Sequence, residues 1–149
     1  MSAREDIATN IVEQLENMTD PAPGKVSRVF FDVQKLAITQ FPAILVTTGN
    51  EVREDHAMGG ARRGTIQVNI RGYVRADGRE GSVTTVDQKR NELIERIEET
   101  LNSDRTRELN TLRAATTHIT SVEIIDRTPP LGEFLMTAEV RYSFTKGAV

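Results

Sequence analysis

The sequence predicts an α+β fold, a two-layer sandwich in which a mostly antiparallel sheet carries two main helices on one face. Two long stretches alternate apolar and polar residues with a period of two, which is typical of strands with one buried face. Two other stretches repeat apolar residues at helical spacing. Short turns between neighbouring strands favour antiparallel pairing. A chain of 149 residues can bury its own core, so we predict a single domain over residues 1–149.

The other predicted elements are arranged around the C-terminal strand, residues 132–146. Its apolar row consists of Phe134, Met136, Ala138, Val140, Tyr142 and Phe144. At about 3.4 Å per residue this row is about 34 Å long, so the strand needs partners of similar length and a covering layer. The rest of the chain must supply both.

An amphipathic helix opens the chain and short strands follow it. Ser2 and Glu5 match a capping box. The apolar stripe of the helix consists of Ile7, Ile11, Leu15 and Met18. Pro and Gly residues at 20–24 end the helix. We predict a short strand at 26–31, an irregular segment or helical turn at 32–40, and a central strand at 43–48, because apolar residues occupy both faces of the last stretch.

Residues 49–64 differ from their surroundings, because four glycines lie among charged residues and few apolar side chains are present. This composition predicts a mobile arm or a long hairpin. A long strand follows at 65–75, with Ile66, Val68, Ile70 and Val74 on its apolar face. Gly72 falls in the same register and predicts a bulge or the close approach of another backbone.

The second half contains the longer helix and two further strands. A turn at 76–81 leads into a helix at about 82–101, whose stripe consists of Val83, Val86, Leu93, Ile97 and Leu101. Residues 102–118 predict a loop with a short turn. Residues 119–127 predict a strand with Val122 and Ile124 on one face, and a Pro-Pro turn precedes the C-terminal strand.

The composition excludes several classes of partner. Lys and Arg number 19 against 22 Asp and Glu, which gives a net charge of −3, so we expect no sequence-specific nucleic acid partner. The absence of Cys excludes disulfides, thiolate zinc sites and a cysteine nucleophile. No export signal or membrane-spanning apolar run is present, so we expect no membrane partner.

Residues suited to catalysis do not form a recognisable pattern. His56 and His118 lie far apart and neither has a second imidazole or thiolate at metal-ligand spacing. Glu54-Asp55-His56 could hold a divalent ion, but a solvated charge cluster explains it more simply. No G-x-S-x-G motif occurs, and the Gly24-Lys25-Val26-Ser27 stretch lacks the spacing of a phosphate loop. We therefore expect no catalytic residues, no cofactor, no metal and no enzyme activity.

Two surfaces are candidates for subunit assembly: the 49–64 arm and the polar second face of the two long strands. Such a sheet face is either plain solvent-exposed surface or a subunit interface in which the polar rows set the alignment of the two subunits. A basic patch around the long strand, with Tyr73 stacking a nucleic acid base, is a further alternative to an ordinary mixed-charge surface. The candidate interface residues are Glu51, Arg53, Glu54, Asp55, His56, Arg62, Arg63, Arg71, Tyr73, Glu139 and Arg141.

Several short motifs follow the same order as these elements. They are Phe41-Pro42-Ala43-Ile44, Gly49-Asn50-Glu51, Gly72-Tyr73-Val74, Leu131-Gly132-Glu133-Phe134 and Val140-Arg141-Tyr142-Ser143-Phe144. Together with the N-terminal and long helices, they resemble the tail terminator family of long-tailed bacteriophages, also known as minor tail protein U-like proteins. The likeness extends over almost the whole chain and carries over no catalytic residue.

The resemblance implies a structural role in the virion. Such a protein forms a ring, usually of six subunits, at the head-proximal end of the tail tube, where it ends tube polymerisation and joins the tail to the neck. The implied partners are further copies of the chain, the tail tube protein, a neck or head-completion protein and, in a contractile tail, the sheath protein. The implied location is the neck region of the virion tail, and the host cytoplasm during assembly.

Two other functions stay open at this point. One is another head-to-tail connector or a tail-tube-like subunit, which would share the small α+β style and differ in what it contacts. The other is a small ligand-binding domain or enzyme with an unrecognised site.

Overall fold

The computed structural model describes residues 3–19, 21–55, 61–76, 83–103, 116–128 and 130–145. In chain order these residues form α1 (Ala3–Glu16), β1 (Lys25–Ser27), two 3-10 turns (Val33–Lys35 and Ile38–Gln40), β2 (Ala43–Asp55), β3 (Ala61–Arg75), α2 (Val83–Ser103), β4 (Thr116–Ile125) and β5 (Leu131–Thr145). Ser2, the predicted turn at 77–81 and residues 104–115 lie outside the described part of the chain. The α+β fold predicted from the sequence is confirmed.

The strands form one five-stranded sheet in the order β1-β2-β3-β5-β4. β1 pairs with β2 in parallel, and the other neighbouring pairs are antiparallel. β2 is therefore an interior strand, as its buried residues on both faces require, but the predicted central position belongs to β3. The sheet has its two outer strands, β1 and β4, at opposite ends.

The two long strands that the sequence predicts, β3 and β5, pair with each other along their full length. Their register runs without interruption from Ala61↔Thr145 to Arg75↔Leu131. The apolar rows of both strands lie on the same face, and α1 and α2 cover that face. Each helix contributes a stripe of fully buried side chains: Ile7, Ile11 and Leu15 from α1, and Leu93, Ile97 and Leu101 from α2.

Two glycines in β3 make room for aromatic rings on β5. A Cβ added to Gly72 would lie 2.2 Å from the Phe134 ring, and one added to Gly64 would lie 2.5 Å from the Tyr142 ring. The pairing of β3 with β5 passes through Gly72 without a bulge. The predicted bulge or backbone approach at Gly72 is therefore wrong: a side chain on the paired strand occupies the space.

A β-bulge does occur in β2, between Thr48 and Glu51. It inserts an extra residue, so the alternation of side chains changes and Glu51 faces the helices, as Ile44 does. Within the 49–64 stretch, residues 49–55 continue β2 and residues 61–64 begin β3. Residues 56–60, including His56, lie outside the described part of the chain.

The strand predicted at 26–31 is shorter than expected, because a local turn competes with it. The Ser27 hydroxyl donates to the Val29 carbonyl (2.8 Å) and accepts from the Val29 N–H (3.0 Å). The chain then crosses the second face of the sheet, where Phe31, Val33, Leu36 and Phe41 pack around Ala43, Leu45 and Tyr73. This crossover segment, residues 28–42, adds a partial third layer to the predicted two-layer sandwich.

The strand predicted at 119–127 is β4, which begins three residues earlier and forms one edge of the sheet. Val122 and Ile124 do share a face, because they pair with Met136 and Phe134. They are nevertheless 37% and 46% exposed, since an edge strand is covered on fewer sides.

The close packing at Gly72 predicts that Gly72→Ala destabilises the fold by about 1–3 kcal/mol, because the Phe134 ring is fully buried and cannot move aside freely. Urea unfolding measures the change. The matched control is Gly49→Ala, whose added Cβ would come nearest to Gln67 Oε1, at 3.1 Å, the end of a flexible side chain, and which should cost less than about 1 kcal/mol.

A double-mutant cycle with Phe134→Leu tests whether the Phe134 ring causes the loss of stability in Gly72→Ala. If the ring is the obstacle, Gly72→Ala costs less in the Phe134→Leu background than in the wild type. Equal costs in both backgrounds would contradict this explanation.

Candidate assembly interface

The candidate residues do not form one continuous patch. Glu51, Arg53, Glu54 and Asp55 lie in the last part of β2, and Arg62 and Arg63 lie opposite them at the start of β3. Arg71 and Tyr73 lie near the other end of β3. Glu139 and Arg141 lie in β5, on the face of the sheet that the helices do not cover. The structure therefore separates these residues into a hairpin end, a buried cluster and a polar sheet face.

Glu51 belongs to a hydrogen-bonded network at the base of the β2–β3 hairpin. Its carboxylate accepts from Arg53 at 2.6 Å, from Arg4 of α1 at 3.2 Å and from the Tyr142 hydroxyl. Arg4 also donates to the Gly49 carbonyl at 2.8 Å. Only 7% of the Glu51 side chain is exposed, so this residue joins the hairpin to the helix layer rather than lying on a loop surface.

The network shifts the proton equilibria of its members. Burial acts to raise the pKa of Glu51, but the bonds from Arg53, Tyr142 and Arg4 outweigh it, and the net pKa lies below its usual range. Burial and the bond to the Glu51 carboxylate raise the pKa of the Tyr142 hydroxyl. The network therefore favours a charged Glu51 beside a neutral Tyr142.

A second buried carboxylate, Glu133, organises the opposite end of the sheet. Its two oxygens accept from Arg71 at 3.0 Å and from Arg127 at 2.5 Å, and the side chain is 6% exposed. Arg71 is a candidate interface residue from the sequence, whereas Glu133 and Arg127 are not among the sequence candidates. A signal was present, because Glu133 is an acidic residue directly beside Phe134 in the buried part of a predicted strand, but sequence spacing cannot reveal its partners on other elements.

Tyr73 lies inside this cluster and is 6% exposed. The Phe31 ring packs against it edge-on at 5.6 Å, and the Arg127 guanidinium lies 5.6 Å from its centroid. Burial and the neighbouring Glu133 charge raise the pKa of its hydroxyl. The ring is thus covered by its own chain, which contradicts the alternative that Tyr73 stacks a nucleic acid base.

The remaining candidates, Glu139 and Arg141, belong to rows of polar residues that cross the second face of the sheet. One row joins His118, Glu139 and Gln67, and the next joins Thr116, Arg141 and Thr65. The crossover segment covers the apolar end of this face, around Leu45 and Tyr73. The second face is therefore divided into a covered apolar part and a polar part.

A cleft of about 360 Å³ lies beside the Glu133 cluster. Its lining consists of Gln34, Ile125, Asp126, Arg127, Thr128, Leu131 and Glu133. Both oxygens of Glu133 are bonded to arginines, so this carboxylate is held as a structural anion in the cleft wall. Within the described ranges, no group of three or more His, Cys, Asp or Glu side chains is arranged to hold a metal ion.

Neither α1 nor α2, the α-helices of the described part of the chain, has the length and apolar composition that a membrane span requires.

The molecule as described defines a class: an α+β domain with a five-stranded, mostly antiparallel sheet and two helices on one face. No family model matches the sequence, and no curated protein matches it. Among solved structures, the chain is similar to one described as part of the "Virion of native gene transfer agent (GTA) particle". The TM-score is 0.52 at 11% identity, and the match covers 96% of this chain and 99% of that chain. At this identity the likeness establishes a shared fold.

The Glu51 network predicts a pH-dependent contribution to stability. A carboxyl whose pKa is lowered by folding stabilises the folded state above its unfolded pKa, and this stabilisation is lost as the pH falls through the folded pKa. We expect Glu51→Gln to lower the free energy of unfolding at pH 7 by about 1–2 kcal/mol, because the hydrogen bonds to a buried carboxylate are weakened. The difference from wild type should shrink toward about pH 3.

Urea unfolding over that pH range measures both quantities. The matched control is Glu54→Gln, which makes the same charge change at an exposed position three residues along the same strand. A difference between wild type and Glu51→Gln that does not depend on pH would contradict the assigned role of the carboxylate.

Proposed function

We propose that this protein is a structural component of a phage-like virion. The observation that carries the proposal is the likeness in fold to a chain of a gene transfer agent virion, which extends over nearly the full length of both chains. Because the match covers 96% of this chain and 99% of the other, it concerns the domain as a whole and not a single element. The proposal accords with the motif order from Phe41-Pro42 to Val140-Arg141 that resembles phage tail terminators.

Within that class, we propose a tail terminator. Copies of the chain would form a ring at the head-proximal end of the tail tube, end tube polymerisation and join the tail to the neck. Its partners would be the tube protein, a neck or head-completion protein and, in a contractile tail, the sheath protein. The protein would act through its surfaces rather than through catalysis, which accords with a Glu133 carboxylate already bonded to two arginines.

The fold supplies what a ring requires. A closed ring is built from heterologous contacts, in which one patch of a subunit meets a different patch of its neighbour. The β2–β3 hairpin end, the polar second face and the outer strands β1 and β4 are separate surfaces of one subunit. The alternative of a head-to-tail connector or tail-tube-like subunit uses the same fold and differs in its contacts.

Ring formation predicts a discrete assembly. Light scattering over a wide range of protein concentration, up to about millimolar, should detect a shift from one subunit to a closed species of about six. Electron microscopy of mixtures with the particle's own tube protein should then show one capped tube end. Continuous growth into tubes would favour the tube-like alternative, binding to heads without tubes would favour the connector, and a fixed dimer would contradict the ring.

The hairpin tip, defined here as residues 54–63, is the proposed contact with the tube or a neighbouring subunit. We expect that replacing it with Asn-Gly, which joins Arg53 to Gly64 by a two-residue turn, lowers the free energy of unfolding by no more than about 1 kcal/mol. The reason is that none of the core residues in the described part of the chain lies in the tip, while the Glu51 network is retained. The same variant should fail to cap tubes.

A full-length variant with Glu54→Gln and Arg63→Gln separates the effect of removing charges from the tip from the effect of shortening it. These two residues pair across the hairpin. The double substitution removes one negative and one positive charge, so the net charge of the protein is conserved. If the shortened protein still forms rings and caps tubes, the tip is not the contact.

A further inference from the structure

Of the six large apolar side chains that the described residues expose, four lie on or directly beside the two outer strands of the sheet. Val29 is 74% exposed and Phe30 is 77% exposed, directly after β1, and Ile38 in the same crossover segment is 63% exposed. At the other end, Val122 and Ile124 on β4 are 37% and 46% exposed. Adjacent apolar side chains that are exposed together are typical of a surface that is covered in an assembly, and the bonds between Ser27 and Val29 hold this pair in an ordered turn.

The two ends also lie at the same level of the sheet. One row of paired residues runs from Val26 on β1 through Ile44, Gly72 and Phe134 to Ile124 on β4. β1 runs parallel to β2 and β5, whereas β4 runs opposite to them. Two copies placed side by side in the plane of the sheet would therefore bring β4 of one copy beside β1 of the next, in antiparallel orientation.

The charges at the two ends are of opposite sign. Lys25, Arg28 and Lys35 stand against a single acidic residue, Asp32, between positions 25 and 35, although Arg28 pairs with Glu5 at 2.6 Å. At the β4 end, Glu123 and Asp126 are exposed. Arg127, which follows Asp126 in the chain, is bonded to Glu133. Opposite charges at the two ends favour contact between unlike ends over contact between like ends.

We propose that the β4 end, carrying Val122 and Ile124, docks onto the β1 end of a second copy of this chain, carrying Val29 and Phe30. The inference rests on the proposed ring and names the surface through which neighbouring subunits meet. β1 contributes three residues, so backbone pairing across the contact is short, and burial of the four side chains Val29, Phe30, Val122 and Ile124 supplies most of the stabilisation. Because the two ends differ, any row of docked copies has one free β1 end and one free β4 end. When these two free ends meet, the row closes into a ring.

Directed cross-linking tests this contact, because the chain contains no Cys and any introduced thiol is unique. Phe30→Cys protein is mixed with Ile124→Cys protein and treated with a short thiol-specific bifunctional reagent. Docked copies hold their thiols at an effective concentration near the millimolar range, so at about 10 micromolar protein we expect cross-linking about 100-fold faster than random encounter. The double variant, Phe30→Cys with Ile124→Cys, should give a ladder of oligomers that ends at the closed ring.

The matched control is Val52→Cys mixed with Ile124→Cys. Val52 is an apolar residue that is 60% exposed on β2, eight residues beyond Ile44, which shares its row with Val26 and Ile124, so it should cross-link only at the random rate. Equal rates for the control and the test pair would overturn the proposal. So would dominant Phe30–Phe30 or Ile124–Ile124 products, which would indicate contact between like ends.

The outcomes also separate this contact from the proposed function. If rings form and no cross-link joins positions 30 and 124, the docking surface is wrong and the ring function stands. If the cross-linked ladder forms and the wild-type protein never caps tubes, the docking surface stands and the terminator function is wrong. The absence of both cross-links and rings at all protein concentrations would overturn the docking proposal.

Discussion

The pairing of β3 with β5 is the constraint on which the rest of the structure depends. Gly64 and Gly72 on one strand receive the rings of Tyr142 and Phe134 on the other, at the same spacing along both strands. A shift of the register by one residue would turn every apolar side chain to the other face and set both rings against side chains that leave them no space. This size complementarity specifies the register. The register in turn aligns the apolar rows of β3 and β5 on one face of the sheet, and α1 and α2 pack on that face.

The Glu51 network connects the apolar face of the sheet, and the helix layer on it, to the β2–β3 hairpin. The bulge after Thr48 turns a carboxylate toward the helix side, where Arg4, Arg53 and the Tyr142 hydroxyl bind it. A buried charge is tolerated only when it is paired and hydrogen-bonded, so the bulge and its partners must be present together. The base of the hairpin is thereby joined to the core, whereas the described core includes no residue of the tip. Such a division accords with the contact role proposed for the tip.

The crossover segment, residues 28–42, gives the two faces of the sheet different characters. The helices α1 and α2 cover the apolar face of the sheet. On the opposite face, the crossover segment covers only the part around Leu45 and Tyr73. Polar rows occupy the rest of that face, and apolar side chains are exposed at the β1 and β4 ends. The chain thus has surfaces of unlike chemistry, which accords with the head-to-tail assembly proposed above.

Local pattern by itself determined the fold class, both long strands, both helices and the apolar face of each, because the periods of 2 and 3.6 residues are direct consequences of strand and helix geometry. Only the tertiary structure decided which strands pair, that the ring of Phe134 fills the space at Gly72, and that Glu51 and Glu133 are buried with arginines from other elements. It also decided that Tyr73 is covered and that Val122 and Ile124 are exposed despite their apolar register. These outcomes depend on contacts between residues far apart in the chain, and a one-dimensional pattern contains no information on distance between them.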